Sequence, residues 1–242
     1  MDRGAILFLG LIILICAILL PPEVFAADGV YIEQEIKTVK DGQTVETELV
    51  KIWIQGDFIR FDSSRQPNYT VIDSKESVIR VVDPNNKVYM EFPVETAKKV
   101  EAKEKGFQIT QRLEKTGRTK KIGEWDCFEV EVFTEIKLPK GKPFVSVPSV
   151  RTFVWLTEAK ALNDEKIKDA LSQSLKKWIS KPTSGGAEIK GLPVQVVTIE
   201  NVESVGKKNA IETEVTVKDI KVPDIPASTF QIPADYRRLK SQ

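Results

Sequence analysis

The sequence contains no histidine among its 242 residues. Histidine is the side chain that most often acts as a general base near neutral pH, and it activates serine and cysteine nucleophiles. It is also the commonest ligand of zinc and other transition metals. Its absence argues against most hydrolases and most metal sites, so we expect no catalytic residue, no metal ligand and no cofactor.

Cysteine is nearly as scarce, with Cys16 and Cys127 as the two instances. Cys16 falls in an apolar segment near the N-terminus, which leaves Cys127 alone in the rest of the chain and excludes an internal disulfide there. Cys127 lies in a predicted strand over residues 126–135. A partly buried structural thiol is therefore favoured over a nucleophile.

The chain has no excess of one charge, because 36 basic and 35 acidic residues give a net charge of +1. The two signs are interspersed along the sequence, so no basic patch predicts binding to nucleic acid. Paired acidic residues recur two positions apart, which places both carboxylates on one side of a strand. Because apolar residues alternate with them, we interpret each pair as the solvated side of a strand: Glu33/Glu35, Glu46/Glu48, Glu129/Glu131 and Glu212/Glu214.

The longest uncharged apolar run is short, covering the 16 residues 5–20. A secretory signal needs an apolar region of ~7–15 residues and a membrane-spanning helix ~20. Pro21 and Pro22 end the run, and Val24 and Ala26 occupy the positions that a signal peptidase reads. We predict a signal peptide over residues 1–26 and a single exported domain over 27–242.

An uncleaved signal-anchor remains the alternative, because Asp2 offsets the charge of Arg3 ahead of the apolar run. In either case the domain is predicted to be periplasmic or otherwise extracytoplasmic.

Alternation with a period of two dominates the rest of the chain. Val88, Met90 and Phe92, for example, alternate with Tyr89 and Glu91. Such strands, apolar on one side only, are typical of antiparallel sheets with one covered face. No alternation of strands with helices indicates a doubly wound fold.

We expect one covered face to contain Ile52, Ile54, Val88, Met90, Phe128, Val130, Val154 and Leu156. We expect Lys51, Gln55, Glu91, Glu129 and Glu131 to face solvent. By the same parity Trp53 and Trp155 fall on the solvent side, which edge packing or a β-bulge would explain.

Two segments have helical character. Residues 94–105 are rich in Lys, Glu and Ala and predict a surface helix. Residues 163–180 place an apolar stripe at helical spacing, made of Ile167, Leu171, Leu175 and Trp178. This second helix is either packed permanently on the sheet or a movable lid over it, and both alternatives require the same contact.

Four segments of the sequence carry a family resemblance: KIWIQGDFIRFD (51–62), VIRVVDPNNKVYMEFP (78–93), KKIGEWDCFEVEV (120–132) and STFQIPADYRRL (228–239). Together they resemble a bacterial domain-of-unknown-function family with the fold of the periplasmic lipoprotein carriers of the Lol system (LolA/LolB-like). The matching motif positions are Gly56, Asp57 and Arg60, then Asp83, Pro84, Lys87 and Tyr89, then Phe230, Ile232, Pro233 and Tyr236.

The resemblance implies a mainly β (α+β) fold, a curved antiparallel sheet or incomplete β-barrel with a helix packed on its concave face. The Lol carriers hold acyl chains in that concavity. The ligand-binding residues expected on this basis are Ile52, Ile54, Met90, Phe128, Val130, Val154, Leu156, Leu171, Leu175 and Trp178. No residue dedicated to handing cargo to a receptor is recognisable, so lipoprotein trafficking itself is not expected.

The expected function is that of an exported, non-catalytic envelope protein that binds a lipid or other apolar ligand, with at most peripheral membrane contact. The alternative is an envelope sensor or interaction protein with a protein partner and a core filled by its own side chains. A sensor domain that regulates an anti-sigma factor shares the resembled fold, which keeps this alternative open.

Overall fold

The structure is a computed structural model. It describes residues 29–94, 108–137, 149–159, 191–204 and 207–239, together with residues 162, 164, 165, 167 and 168. The predicted signal peptide and its cleavage site lie outside the described residues.

Almost all of the described chain is β-strand. The strands are β1 (Val30–Lys40), β2 (Gln43–Gln55), β3 (Phe58–Ser63), β4 (Tyr69–Asp73), β5 (Val78–Asp83), β6 (Val88–Pro93), β7 (Gln108–Ile122), β8 (Trp125–Lys137), β9 (Ser149–Thr157), β10 (Leu192–Ser204), β11 (Lys207–Lys221) and β12 (Arg237–Leu239). A short 3-10 helix, Ala227–Phe230, precedes β12.

The strands form one sheet in the order β12-β6-β5-β4-β3-β2-β1-β11-β10-β9-β8-β7. Most neighbours are consecutive in the chain and pair antiparallel, whereas β12 pairs with β6 in parallel. Among the described residues the sheet is open, with β12 and β7 at the ends of the order. The expected mainly β fold with an antiparallel sheet is therefore confirmed.

Tight turns join the first hairpins. Gly56 adopts a φ of 54° between β2 and β3, a left-handed conformation that glycine enters without steric cost. A turn at Asp83 and Pro84 connects β5 to β6, and Asp83 accepts hydrogen bonds there from the backbone N–H groups of Asn85 and Asn86.

The helix expected over 163–180 is described only at its start. The backbone N–H of Lys168 donates to the carbonyl oxygen of Asp164 over 2.9 Å, as in a helical turn, and Ile167 is buried. Leu171, Leu175 and Trp178 lie outside the described residues, as does the helix expected over 94–105 apart from Val94. A helix packed on the concave face is therefore not supported by the described part of the chain.

No helix within the described residues is long and apolar enough to cross a membrane.

The chain divides into two compact units. The first contains Met1–Ile32, Val50–Lys105 and Ile220–Gln242, and the second contains Glu33–Leu49 and Gly106–Asp219. In the first unit Ile59, Ile72 and Ile79 are buried at matching positions of β3, β4 and β5. In the second unit the buried apolar residues come mainly from β8, β9 and β10.

Candidate functional site

One face of the second unit contains a buried cluster of apolar residues. Val130 on β8 pairs with Val154 on β9, which pairs with Val196 on β10. We call this the apolar face; its buried members are Val130, Val132, Val154, Leu156 and Val196, with the partly buried Leu113 and Phe128 packed against them. Four of the predicted ligand-binding residues, Phe128, Val130, Val154 and Leu156, are thus brought together here.

A row of threonines crosses the apolar face next to the valines. Thr198 on β10 pairs with Thr152 on β9 and with Thr213 on β11. Because Thr198 is two residues beyond Val196 on the same strand, its side chain leaves the sheet on the same side. We call these three residues the threonine row. Thr198 is only 8% exposed, and its Oγ1 atom has no hydrogen-bond partner among the described residues. Sequence analysis missed this row, although Thr152, Thr198 and Thr213 share the parity of the neighbouring valines.

The opposite side of the same strands carries buried charge. Glu129 and Glu131 are 3% and 9% exposed, so the prediction that they face solvent is wrong. Arg118 forms an ion pair with Glu129, and Arg151 does so with Glu131 at 2.8 Å. Both guanidinium groups also lie over the ring of Phe153, at 5.2 and 5.0 Å from its centroid. Long cationic side chains thus cover the carboxylates and the ring from above.

A cationic side chain also covers the ring of Trp155. The Lys120 ammonium lies 4.1 Å from the centroid of the Trp155 ring and donates a hydrogen bond to Gln195. Gln195 in turn donates to Glu214 and to Thr216, both at 2.7 Å. We call this side of the second unit the polar face. Its buried polar groups are paired with each other, as burial away from water requires.

Trp53 and Trp155 are large aromatic residues that the alternation assigns to the solvent side, and the structure gives both the same explanation. Trp53 and Trp155 both lie on the side that also carries charged residues. The β2–β3 pairing runs past Trp53 without a register change, whereas β10 shifts register beside Trp155, between Pro193 and Gln195. That bulge is in β10, and Trp155 itself pairs with Glu129 on β8 without a register shift. Neither tryptophan therefore changes sides, and in both cases a cation covers the ring.

In the first unit the apolar side of the sheet is buried unevenly. One row of paired residues runs across five strands: Ile52, Phe61, Thr70, Val81 and Met90. Ile52 and Ile54 are buried as predicted, but Met90 is 38% exposed. Met90 lies on β6, whose outer neighbour β12 is only three residues long, and its expected place on a covered face is therefore wrong.

The other side of the first unit is organised around Arg60. Its guanidinium lies 4.0 Å from the centroid of the Tyr69 ring and 5.5 Å from that of Trp53. Two of its nitrogens donate to the two carboxylate oxygens of Asp62, at 2.7 and 2.8 Å. A third donates to the backbone carbonyl of Thr229 over 2.8 Å. Burial also raises the pKa of Tyr69.

The remaining family motifs also hold the C-terminal segment in place. Lys87 pairs with Asp235 at 2.8 Å, and the backbone N–H of Arg237 donates to the carbonyl of Lys87. The hydrogen bond between Lys87 and Asp235 raises the pKa of the lysine and lowers the pKa of the aspartate. Hydrogen bonds from Asn86 lower the pKa of Asp83 in the turn between β5 and β6. These motif residues therefore have structural roles.

Cys127 has the properties of a structural thiol. It is buried, its Sγ donates to the carbonyl of Trp125 over 3.3 Å, and burial raises its pKa. An open surface pocket of about 580 Å³ is lined by Thr119, Lys120, Lys121, Asp126, Cys127, Phe128 and Glu158. A raised pKa lowers the fraction of Cys127 that is present as thiolate. Within the described residues no group of three or more metal-ligating side chains is close enough to hold an ion.

Three predicted ligand-binding residues, Leu171, Leu175 and Trp178, fall outside the described residues. Of the other seven, Ile52, Ile54 and Met90 belong to the first unit and the remaining four to the second. The role of all ten as ligand-binding residues stays a prediction.

Comparison with known proteins identifies the family. The model of a domain-of-unknown-function family, DUF4412, matches residues 34–236. The chain belongs to this family. The domain-of-unknown-function family expected from the four motif segments is therefore confirmed. No curated protein matches the DUF4412 chain.

Two solved structures are similar to this DUF4412 protein. One is the structure of PNGF-II in the C2 space group, with 14% identity and a TM-score of 0.39 over 88% of this chain; the match takes in 31% of the PNGF-II chain. The other is a LolA superfamily protein, NE2245 from Nitrosomonas europaea, with 8% identity and a TM-score of 0.31 over 86% of this chain and 91% of that one. The DUF4412 chain thus spans about a third of the length of PNGF-II, whereas a LolA superfamily protein matches it over most of both lengths.

Proposed function

We propose that this DUF4412 protein is an exported, non-catalytic protein of the cell envelope. It binds a lipid-like or other apolar ligand on the apolar face of the second unit. It works outside the cytoplasm, without a cofactor, and any contact with the membrane is peripheral.

The contrast between the two sides of the second unit carries this proposal. On the polar face Arg118, Lys120 and Arg151 lie over the aromatic rings and pair with buried polar groups. On the apolar face the Lys115 ammonium lies over the ring of Phe128 at the margin, whereas the buried members are all aliphatic. Ligand sites are mostly apolar with a few polar groups, which is the composition of this face.

Access to the apolar face is provided at its margin. Leu113 and Phe128 pack on the buried cluster but are themselves only partly buried. Each methylene of an acyl chain that leaves water contributes about 0.8 kcal/mol, so about six methylenes would contribute about 5 kcal/mol. Partial engagement of one chain is therefore sufficient for measurable binding.

A second candidate function is docking of a protein partner, and the exposure of β2 favours it. Val45 is 59% exposed and Leu49 is 39% exposed, and being four residues apart they lie on the same side of the strand. In this alternative, Val45→Ser combined with Leu49→Ser abolishes partner binding and leaves ligand binding unchanged.

Neighbouring residues of β10 provide a matched test of the ligand proposal. Val196 lies on the apolar face, whereas Val197 points to the opposite side and is half-buried. Val196→Thr replaces a methyl group with a hydroxyl on the proposed binding surface. We expect it to weaken binding of the neutral dye N-phenyl-1-naphthylamine about threefold or more, because at least one methyl contact is lost.

Val197→Thr makes the same chemical change on the polar face and should leave the affinity unchanged. Fluorescence titration of the full chain measures both variants. Equal effects of the two substitutions, or no saturable dye binding by the unmodified protein, would contradict the proposed function.

A further inference from the structure

We infer that the threonine row binds the uncharged polar end of an amphipathic ligand, through a hydrogen bond between the Thr198 hydroxyl and an oxygen atom of an alcohol or ester. This inference rests on the proposed function, since it assumes that the ligand chain lies on the apolar face. It adds the position of the head group and its chemical class.

The hydroxyl of Thr198 is the observation that points to a ligand. A buried hydroxyl normally has a partner, because leaving one unsatisfied costs free energy. Thr157, which is also buried, follows this rule: its hydroxyl donates to the carbonyl of Asp126 and accepts from the backbone N–H of Ala159. Thr198 makes no such bond among the described residues, so the donor and acceptor capacity of its buried hydroxyl is unused.

The neighbours of Thr198 define where the ligand chain would lie. Val196 is two residues away along β10, a separation of about 7 Å in an extended strand. Val196 begins the row of paired valines that continues through Val154 to Val130. A ligand whose oxygen reaches Thr198 can therefore place its first methylenes against these valines.

The charges on this side of the sheet favour a neutral head group. The threonine row and Val132, which pairs with Thr152, contain no ionisable side chain. The acidic residue Glu200, two positions beyond Thr198 on β10, shares this side and is exposed. Lys115 on β7 shares this side, but its ammonium lies 5.0 Å from the centroid of the Phe128 ring, at the end of the apolar face away from the row. A carboxylate at Thr198 would thus be buried without a cation, which is costly.

The test compares two ligands that share a ten-carbon chain. 1-Decanol presents a hydroxyl to Thr198, whereas 1-chlorodecane presents chlorine, a very weak hydrogen-bond acceptor. Each competes with N-phenyl-1-naphthylamine for the full chain and for Thr198→Val, which keeps the shape of the side chain and removes its hydroxyl. We expect Thr198→Val to weaken decanol binding about three- to tenfold and to leave chlorodecane binding unchanged.

Thermal unfolding without ligand shows whether the Thr198→Val variant folds. It also tests separately whether the Thr198 hydroxyl lacks a hydrogen-bond partner within the protein. Thr198→Val should raise the midpoint, because it removes a buried group without a partner. The matched control Thr157→Val should lower it, because two hydrogen bonds are lost.

The outcomes separate this inference from the proposed function. If both ligands displace the dye but Thr198→Val weakens them equally, or weakens neither, the threonine row does not bind the head group, although the apolar face still binds chains. If the unmodified protein does not bind the dye saturably, the proposed function fails, and the inference fails with it. A lower unfolding midpoint for Thr198→Val would also overturn the inference, since the hydroxyl would then have a partner within the protein.

Discussion

Arg60 shows how one residue of a family motif can organise a whole side of a sheet. Its guanidinium contacts two aromatic rings, both oxygens of a carboxylate and one backbone carbonyl. Arginine suits this position because its planar group can stack and form two parallel hydrogen bonds at once. The carbonyl belongs to Thr229, so the same residue fixes the C-terminal segment to β3.

Substitution of Arg60 by lysine tests this role. Lysine keeps the charge but can neither pair with both oxygens of Asp62 nor stack as a plane on Tyr69. We expect Arg60→Lys to lower the free energy of unfolding by about 1–3 kcal/mol, as measured by urea denaturation. Arg65→Lys, at an exposed position beyond β3, serves as the control and should change stability by less than about 0.5 kcal/mol. Equal effects of the two variants would show that the geometry of Arg60 contributes nothing.

The residues that sequence analysis placed wrongly are those whose surroundings come from other strands. The alternation around Glu129 and Glu131 correctly indicates which side of β8 they occupy. It does not show that Arg118 from β7 and Arg151 from β9 extend over them and exclude water. Long cationic side chains cover carboxylates in this way only when strand pairing brings them near, and the pairing is not evident from one strand.

At the scale of elements, a bulge in β7 positions the side chains that pair with Glu129 on the polar face. Lys115 pairs with Val130 and Thr119 with Phe128, so the three residues between them oppose Glu129 alone. The bulge lets the hydroxyl of Thr116 donate to Glu129 over 2.7 Å, and it brings the Arg118 side chain to the same oxygen at 2.6 Å.

Gly117 makes this bulge possible, and its substitution provides a test. Its φ is 79°, and a Cβ atom there would have no heavy atom within 4 Å, so the cost of a side chain would come from the backbone conformation alone. We expect Gly117→Ala to lower the free energy of unfolding by about 1 kcal/mol. Gly117→Asn should cost less, because asparagine enters the left-handed region more readily. An alanine variant as stable as the original would contradict this account of the bulge.

The strands that could be predicted are those with a regular apolar period. The segments around Ile52, Val88 and Val130 all alternate, and all lie in strands. β7 was missed because most of its residues are charged or polar, as is common in a strand at the end of a sheet, where charge discourages pairing with other molecules. β12 was missed because its three residues are held by pairing with β6 rather than by a pattern of their own.

At the scale of the molecule, both units are built from alternating strands, but different groups cover the sides of those strands in each unit. In the first unit the family motifs attach the C-terminal segment to the sheet through Arg60 and Lys87. In the second unit one side is closed by ion pairs and cations over aromatic rings, and the other is left apolar. Of the candidate site, the sequence predicted Phe128, Val130, Val154 and Leu156 on the apolar face, but it joined them to residues of the first unit and did not show the unsatisfied hydroxyl of Thr198.

Native mass spectrometry of the protein, purified gently from its own envelope, tests the central claim most directly. The account predicts a species heavier than the polypeptide by the mass of one lipid-like molecule. This excess should disappear after extraction with organic solvent and return when the stripped protein is incubated with the extracted material. A spectrum containing the mass of the polypeptide alone would contradict the claim that the apolar face binds a ligand.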